Sequence, residues 1–162
     1  MDKDFLTVIK KISDKLIERK FRMSVAESCT GGYIAHAVTN LPGASKFFDL
    51  SVVSYSEEAK KSVLGVSASL VRKHGTVSEE AAIAMAKGVR RISGADVALA
   101  VTGIAGPEII EEKEIGLVYI AVVMEDMEKS MGIRLTGERE EIKVQASLEA
   151  LKFLNQILRI WL

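Results

Sequence analysis

Three short polar segments hold the side chains of this sequence that could do chemistry. They read E-S-C-T-G-G at 27–32, S-Y-S-E-E-A-K at 54–60 and T-G-I-A-G-P at 102–107. Each segment carries hydroxyls and follows an apolar run that predicts a strand. In open α/β sheets, ligands bind beyond the carboxyl ends of the parallel strands. The three segments therefore predict one shared site at that edge of a sheet.

The first segment has the composition of an anion-binding turn. Ser28 and Thr30 supply hydroxyls, and Gly31 and Gly32 supply main-chain N–H groups that no side chain shields. A helical pattern follows, and the first N–H groups of a helix lack internal partners and carry partial positive charge. These residues are predicted to bind an anion. The alternative is an ordinary N-cap followed by a tight turn.

Lys60 is the candidate general base. It lies on a short predicted helix, five residues after Tyr55. Burial would lower its pKa, and a neutral amine could then take the proton of a serine nucleophile. The alternative is a solvated lysine next to Lys61. The candidate nucleophiles are Ser28, Ser45 and Ser54.

Arg139 and the single cysteine complete the set of reactive side chains. Arg139 opens the last predicted helix and could hold a phosphate through two parallel hydrogen bonds, whereas the alternative is a surface arginine. Cys29 is predicted to serve packing, and one cysteine excludes an internal disulfide and favours a reducing compartment. His36 and His74 have no metal-ligand spacing around them, so no metal is predicted.

Hydrophobic periodicity predicts the elements that must position these residues. Helices are predicted at 4–20, 31–39, 56–74 (one or two short helices), 78–93 and 138–162, and strands at 23–27, 47–55, 96–102, 116–124 and 131–135. Strands separated by helices imply a parallel sheet, whereas the closely joined last pair requires an antiparallel strand. The predicted fold is a three-layer α/β/α sandwich with a mixed, mostly parallel sheet of about five strands, one antiparallel. It forms a single domain over 1–162.

Composition narrows the possible partners and compartment. The 162 residues include 22 basic and 22 acidic side chains, so no basic excess marks a nucleic-acid surface. No apolar run reaches the about 18 residues of a membrane span, and the charged first residues are unlike a signal peptide. The predicted location is the cytoplasm, with no membrane and no nucleic acid as partner. Trp161 and Leu162 at the end of the last helix point to a subunit interface, with docking on the domain itself as the alternative.

Six motifs, in order, are similar to those of one protein family. They are A-E-S-C-T-G-G, P-G-A-S-x-x-F, S-Y-S-E-E-A-K, G-x-V-S at 75–78, V-T-G-I-A-G-P and G-x-V-Y at 116–119. From about residue 5 to residue 158, the chain resembles the C-terminal domain of CinA, the competence/damage-inducible protein family. It is similar to a stand-alone form, without the additional N-terminal domain of the two-domain members.

The resemblance implies an activity, nicotinamide mononucleotide deamidase, in the salvage of pyridine nucleotides. This reaction hydrolyses a carboxamide to a carboxylate and releases ammonia. The resemblance also implies the fold predicted above, no metal or other cofactor, and a homo-oligomer that is a dimer or larger. It implies a serine–lysine pair with Lys60 as the base and Tyr55 as its support. Ser45 is favoured as the nucleophile, with Ser28 as the second candidate, because Ser28 and its neighbours already form an anion site.

The implied substrate-binding residues lie in the glycine-bearing loops and at the start of the last helix. They are Thr30, Gly31, Gly32, Thr102, Gly103, Gly106 and Arg139. The loop at 108–114, E-I-I-E-E-K-E, is bulkier and more acidic than is usual in the family, which predicts a reshaped pocket.

Two other functions compete with the amidase. One is a non-catalytic regulatory module that binds a nucleotide or phosphate, for which Lys60 and Ser45 are dispensable. The other is a partner protein linked to DNA uptake or repair. The net charge of zero argues against direct DNA contact, because no excess of lysine or arginine neutralises phosphates.

Overall fold

Six α-helices and five strands lie within residues 3–162, the part of the chain that the computed structural model describes. The helices are α1 Lys3–Arg19, α2 Tyr33–Thr39, α3 Glu57–Ser62, α4 Ala68–His74, α5 Glu79–Ser93 and α6 Arg139–Trp161. The strands are β1 Met23–Glu27, β2 Phe48–Val53, β3 Val97–Gly103, β4 Leu117–Met124 and β5 Met127–Arg134. A single 3₁₀ turn, Ala44–Lys46, precedes β2.

The strands form one mixed sheet in the order β2-β1-β3-β4-β5. β1 pairs in parallel with both β2 and β3, and β4 is antiparallel to β3 and to β5. β4 therefore runs against the other four strands. The predicted mixed sheet with one antiparallel strand is confirmed, and the carboxyl ends of β1, β2 and β3 meet at one edge.

The two faces of the sheet bury side chains of different size. Val25, Leu99 and Ile120 belong to the core that α1, α2 and α6 cover. The opposite face presents mainly alanines, such as Ala98 and Ala100, to α5. Small side chains allow α5 to pack close to the sheet, and the fold has three layers, as predicted.

Two elements begin two or more residues away from their predicted start, for local reasons. α2 begins at Tyr33 because Gly31 and Gly32 have φ values of 61° and 95°, which lie in the left-handed region that a helix cannot use. β5 begins at Met127, four residues earlier than predicted, because Met124 and Met127 pair directly across a tight hairpin. The charged residues Glu128 and Lys129 are exposed and lie on this edge strand.

No helix within residues 3–162 is both long enough and apolar enough to cross a bilayer.

Candidate active site

A pocket of about 380 Å³ opens at the sheet edge where β1 and β3 end. Ser28 follows β1, and Thr102 and Gly103 end β3. Most of the predicted site residues line this pocket: Ser28, Tyr55, Lys60, Thr102, Gly103, Gly106 and Arg139. The three polar segments singled out in the sequence therefore converge at one place.

Ser28 and Lys60 form a direct hydrogen bond at the base of the pocket. The Lys60 Nζ lies 2.8 Å from the Ser28 Oγ and also donates to the main-chain oxygen of Ser54, at 2.8 Å. Lys60 is positioned by α3, whose first turn is capped by the Ser56 hydroxyl. Only 2% of the Lys60 surface is exposed, so its amine is held against Ser28. A serine hydroxyl within hydrogen-bond reach of a lysine amine is the geometry of a nucleophile and its base.

The electrostatics of Lys60 favour the role of base. Burial lowers the pKa of Lys60 from its ordinary value of 10.5, since the charged form loses solvation. Nearby acidic groups, including Glu111 and Glu57, oppose this shift without reversing it. A larger fraction of the amine is therefore neutral near neutral pH than in a solvated lysine, and the interpretation of Lys60 as a surface side chain is wrong.

Ser45, the favoured nucleophile, lies at the amino-terminal ends of the parallel strands, opposite the end that carries the pocket. It occupies the turn before β2, and the main-chain oxygen of Phe47 accepts from the amide of Met23, the first residue of β1. Ser28 lies beyond the other end of β1. At about 3.3 Å per strand residue, the two serines are roughly 16 Å apart. Ser45 does not line the pocket, and the expectation that it pairs with Lys60 within one chain is corrected: the serine at Lys60 is Ser28.

The third candidate nucleophile, Ser54, contributes its main-chain oxygen rather than its hydroxyl. That oxygen accepts from Lys60, and the side chain does not line the pocket.

The predicted anion cradle is already occupied by a carboxylate of the protein. Glu27 is fully buried, and its Oε2 accepts from the Thr30 hydroxyl at 2.7 Å and from the amides of Gly32 and Ile34 at 3.0 and 3.1 Å. Its Oε1 accepts from the Ala35 amide at 2.9 Å. A carboxylate at the first turn of α2 is favoured by the helix dipole and satisfies its orphan N–H groups. Thr30, Gly31 and Gly32 therefore shape the loop around Ser28 and do not line the pocket.

Arg139 and Tyr55 stand together at the pocket wall. The guanidinium of Arg139 donates to the Tyr55 hydroxyl and to the main-chain oxygen of Gly106. Tyr55 is 58% exposed, so this pair borders the opening rather than the base of the pocket. Among residues 3–162, no hydrogen bond joins Tyr55 to Lys60, so the structure does not show the predicted support of Lys60 by Tyr55. Tyr55 instead accepts a hydrogen bond from Arg139.

The loop at 108–114 is held against the pocket wall by Glu111. The Glu111 carboxylate accepts from the amide of Thr76 at 2.5 Å, from its hydroxyl at 2.7 Å and from the Lys113 ammonium at 2.9 Å. Burial would raise the pKa of Glu111, but the hydrogen bonds from Thr76 and Lys113 outweigh it and lower the pKa. The Thr102 hydroxyl in turn donates to the Thr76 oxygen at 2.7 Å. The acidic loop is thus exposed to solvent and at the same time attached to Thr76 through Glu111.

Sequence reasoning missed Thr76, Val77 and Glu111 as parts of the site. Thr76 and Val77 lie in the G-x-V-S motif, and both line the pocket. The motif can be recognised in the sequence, but the sequence does not show that it lies beside β3, because that position depends on the crossover through α5. Glu111 stood in a run of like charges, and nothing local distinguished it from its neighbours.

Cys29 borders the pocket as a thiol. It is buried, and burial raises its pKa to about 12, which keeps it protonated at neutral pH. No group of three or more His, Cys, Asp or Glu side chains within residues 3–162 could hold a metal ion.

The fold and the pocket define an α/β sandwich with a polar site at the carboxyl ends of its parallel strands. A model of the CinA C-terminal domain matches residues 6–158, and the chain belongs to that family. A CinA-like protein of Geotalea uraniireducens is 44% identical over 140 residues, which are 86% of this chain and 33% of that protein. A CinA-like protein of Dictyoglomus thermophilum is 41% identical over 146 residues, which are 90% of this chain and 36% of that protein. The chain therefore spans about a third of the length of the curated relatives it matches.

Solved structures carry the same architecture over the whole domain. The competence damage-inducible protein A of Klebsiella pneumoniae superposes with a TM-score of 0.94 at 34% identity, covering 98% of this chain and 99% of that one. The competence/damage inducible protein CihA of Agrobacterium tumefaciens gives a TM-score of 0.92 at 34% identity, covering 98% of each chain.

Proposed function

We propose that this domain is an amidohydrolase that converts nicotinamide mononucleotide to nicotinate mononucleotide and ammonia. The observation that carries the proposal is the 2.8 Å hydrogen bond between the Ser28 Oγ and the buried Lys60 Nζ. The identity of the substrate is inferred from the resemblance to the CinA family. The pocket forms a cavity for the substrate, and Arg139 places a cation at its rim.

In the first half of the reaction, the neutral Lys60 amine takes the proton of the Ser28 hydroxyl. The Ser28 Oγ attacks the carboxamide carbon, and the carbonyl oxygen becomes an oxyanion. We assign its stabilisation to the amides of Cys29 and Thr30, which follow Ser28 and do not donate to Glu27. The Lys60 ammonium returns its proton to the amide nitrogen, the C–N bond breaks, and ammonia leaves an ester on Ser28.

In the second half, Lys60 takes a proton from water, and the resulting hydroxide attacks the ester carbon. The C–O bond to Ser28 breaks as Lys60 returns the proton to the Ser28 oxygen. The products are the original enzyme and a carboxylic acid, which releases its proton to solvent and becomes the carboxylate. No step requires an oxidant, a reductant or a second substrate other than water.

The direct test is ammonia release from nicotinamide mononucleotide by the wild-type protein and by the variants Lys60→Met and Lys61→Met. Lys61 is the matched control, because it lies on the same helix but pairs with Glu57 and Glu58 at the surface. Turnover that survives in Lys61→Met and falls at least about a thousandfold in Lys60→Met supports the proposal. Wild-type turnover that survives in Lys60→Met, or a folded wild type that releases no ammonia, contradicts it.

The ammonia assay of the wild type, together with a melting-temperature measurement, distinguishes the amidase from a binding module. A module that only binds phosphate compounds would be stabilised by the nucleotide, seen as a rise in Tm, and would release no ammonia from it.

We also propose that the domain works as a homo-oligomer in the cytoplasm, as the resemblance implies. Trp161, which is 49% exposed at the end of α6, and its neighbour Ile160, which is 68% exposed, are apolar side chains that could form a subunit contact.

A further inference from the structure

An anion bound beside the Ser28 loop cannot rely on the glycine amides. The Gly31 amide donates to the Ser28 main-chain oxygen at 3.1 Å, and the Gly32 amide donates to Glu27. Each N–H group makes one strong hydrogen bond, so neither is available to a ligand. A substrate anion beside this turn therefore needs groups other than the Gly31 and Gly32 amides, such as cationic side chains.

Lys143 places an ammonium group directly over this glycine turn. Its Nζ lies 3.4 Å from the position that a Cβ on Gly31 would occupy. Lys143 is four residues after Arg139 on α6, so the two cations lie on one face of the helix, a turn apart. A second cavity, of about 320 Å³, is bordered by both side chains together with Tyr33. Arg139 also borders the pocket of Ser28, so it is a common wall of the two cavities.

The two cations are not neutralised within the part of the chain that the structure describes. Within residues 3–162, Arg139 and Lys143 form no ion pair with a carboxylate, and Lys143 has no hydrogen-bond acceptor. By contrast, Lys152 on the same helix pairs with Glu149 at 2.8 Å. One carboxylate, that of Glu140, also borders the cavity and opposes an anion there.

We propose that Lys143 and Arg139 form a subsite for the phosphomonoester of the substrate. The inference rests on the proposed function and assigns the end of the substrate remote from the carboxamide. Two cations one helical turn apart match the size of a phosphate dianion, and Arg139 can turn two N–H groups toward one phosphate. The carboxamide then lies in the neighbouring pocket against Ser28. Lys143 is thus a determinant of specificity for the phosphorylated substrate over its dephosphorylated riboside.

The test compares nicotinamide mononucleotide with nicotinamide riboside as substrates of three variants. The ratio of kcat/KM for the nucleotide to that for the riboside is expected to fall about tenfold in Lys143→Met. It is expected to rise about twofold in Glu140→Gln, which removes the opposing charge. Lys152→Met is the matched control on the same helix and is expected to leave the ratio unchanged. Competitive inhibition by inorganic phosphate is expected to weaken in Lys143→Met in parallel.

A ratio and a phosphate inhibition that are both unchanged in Lys143→Met would overturn the subsite. This outcome differs from a failure of the proposed function, in which the wild type releases ammonia from neither compound. The subsite remains testable in that case, because calorimetry measures the affinity for the two compounds without turnover. Wild-type affinity higher for the nucleotide, and lost selectively in Lys143→Met, supports it, and equal losses for both compounds contradict it.

Discussion

Ser28 and Ser45 stand in similar local sequences but at opposite edges of the same sheet. Each lies in a short segment with glycine and other small residues, next to a strand. Ser28 follows β1, where the crossovers through α3 and α5 bring Lys60 and Thr76. Ser45 precedes β2, and its main-chain oxygen accepts from Arg22. The position of a serine before or after its strand, which a motif does not reveal, thus decides whether it can reach the site.

The largest difference between the two serines is expected in turnover. Ser28→Ala removes the proposed nucleophile and is expected to lower kcat for ammonia release at least about a thousandfold. Circular dichroism should show an unchanged fold, because the substitution leaves the backbone of the loop in place. Activity within tenfold of the wild type would remove Ser28 from the mechanism.

The next effect is expected at Glu27, the carboxylate that shapes the loop of Ser28. Glu27→Gln replaces an acceptor of several hydrogen bonds by a group that presents an NH₂ to some of the same donors. Because the site is fully buried, the free energy of unfolding should fall by about 3 kcal/mol. Urea unfolding measures this change, and Glu138→Gln at the exposed N-cap of α6 is a matched control with a smaller expected loss. Equal losses in the two variants would mean that Glu27 has no special role in the loop.

A smaller effect is expected in the pH dependence of stability. The pKa of Lys60 is lower in the folded chain than its ordinary value of 10.5, so the unfolded chain binds more protons between the two values. The free energy of unfolding should therefore rise with pH across that window, by at most about 1.4 kcal/mol per pH unit. Lys60→Met lacks this contribution and should show a flatter profile in urea titrations. Parallel profiles for the two proteins would contradict a lowered pKa.

The smallest effect is expected at Ser45. Its side chain is exposed at the edge of the sheet away from the pocket, and Ser45→Ala should leave kcat and KM within about twofold of the wild type. The ammonia assay used for Ser28→Ala measures both constants. A large loss of kcat in Ser45→Ala would show that a second copy of the chain brings this serine to the site.

Local pattern was sufficient for most of the fold and for part of the site. The apolar runs of β1 and β3 and the closely joined pair β4 and β5 are short-range signals, and the mixed sheet follows from them. The site segments could be placed at one sheet edge, because parallel strands end together. Lys60 could be named as a candidate base by its type and position alone.

The sequence by itself thus determined the sheet, the edge that carries the site and the residue types available there. Only the tertiary structure decided which serine meets Lys60, and that Glu27 occupies the N–H groups expected to bind substrate. It also decided that Glu111 fastens a wall of the pocket and that Lys143 lies over Gly31. The physical reason is one of range. Periodicity and capping act over a few neighbouring residues, whereas the contacts of Lys60, Glu111 and Lys143 join residues that are far apart in the chain. The contacts of Glu27 are local, but the same motif would suit a bound anion equally well, so the sequence could not distinguish the two.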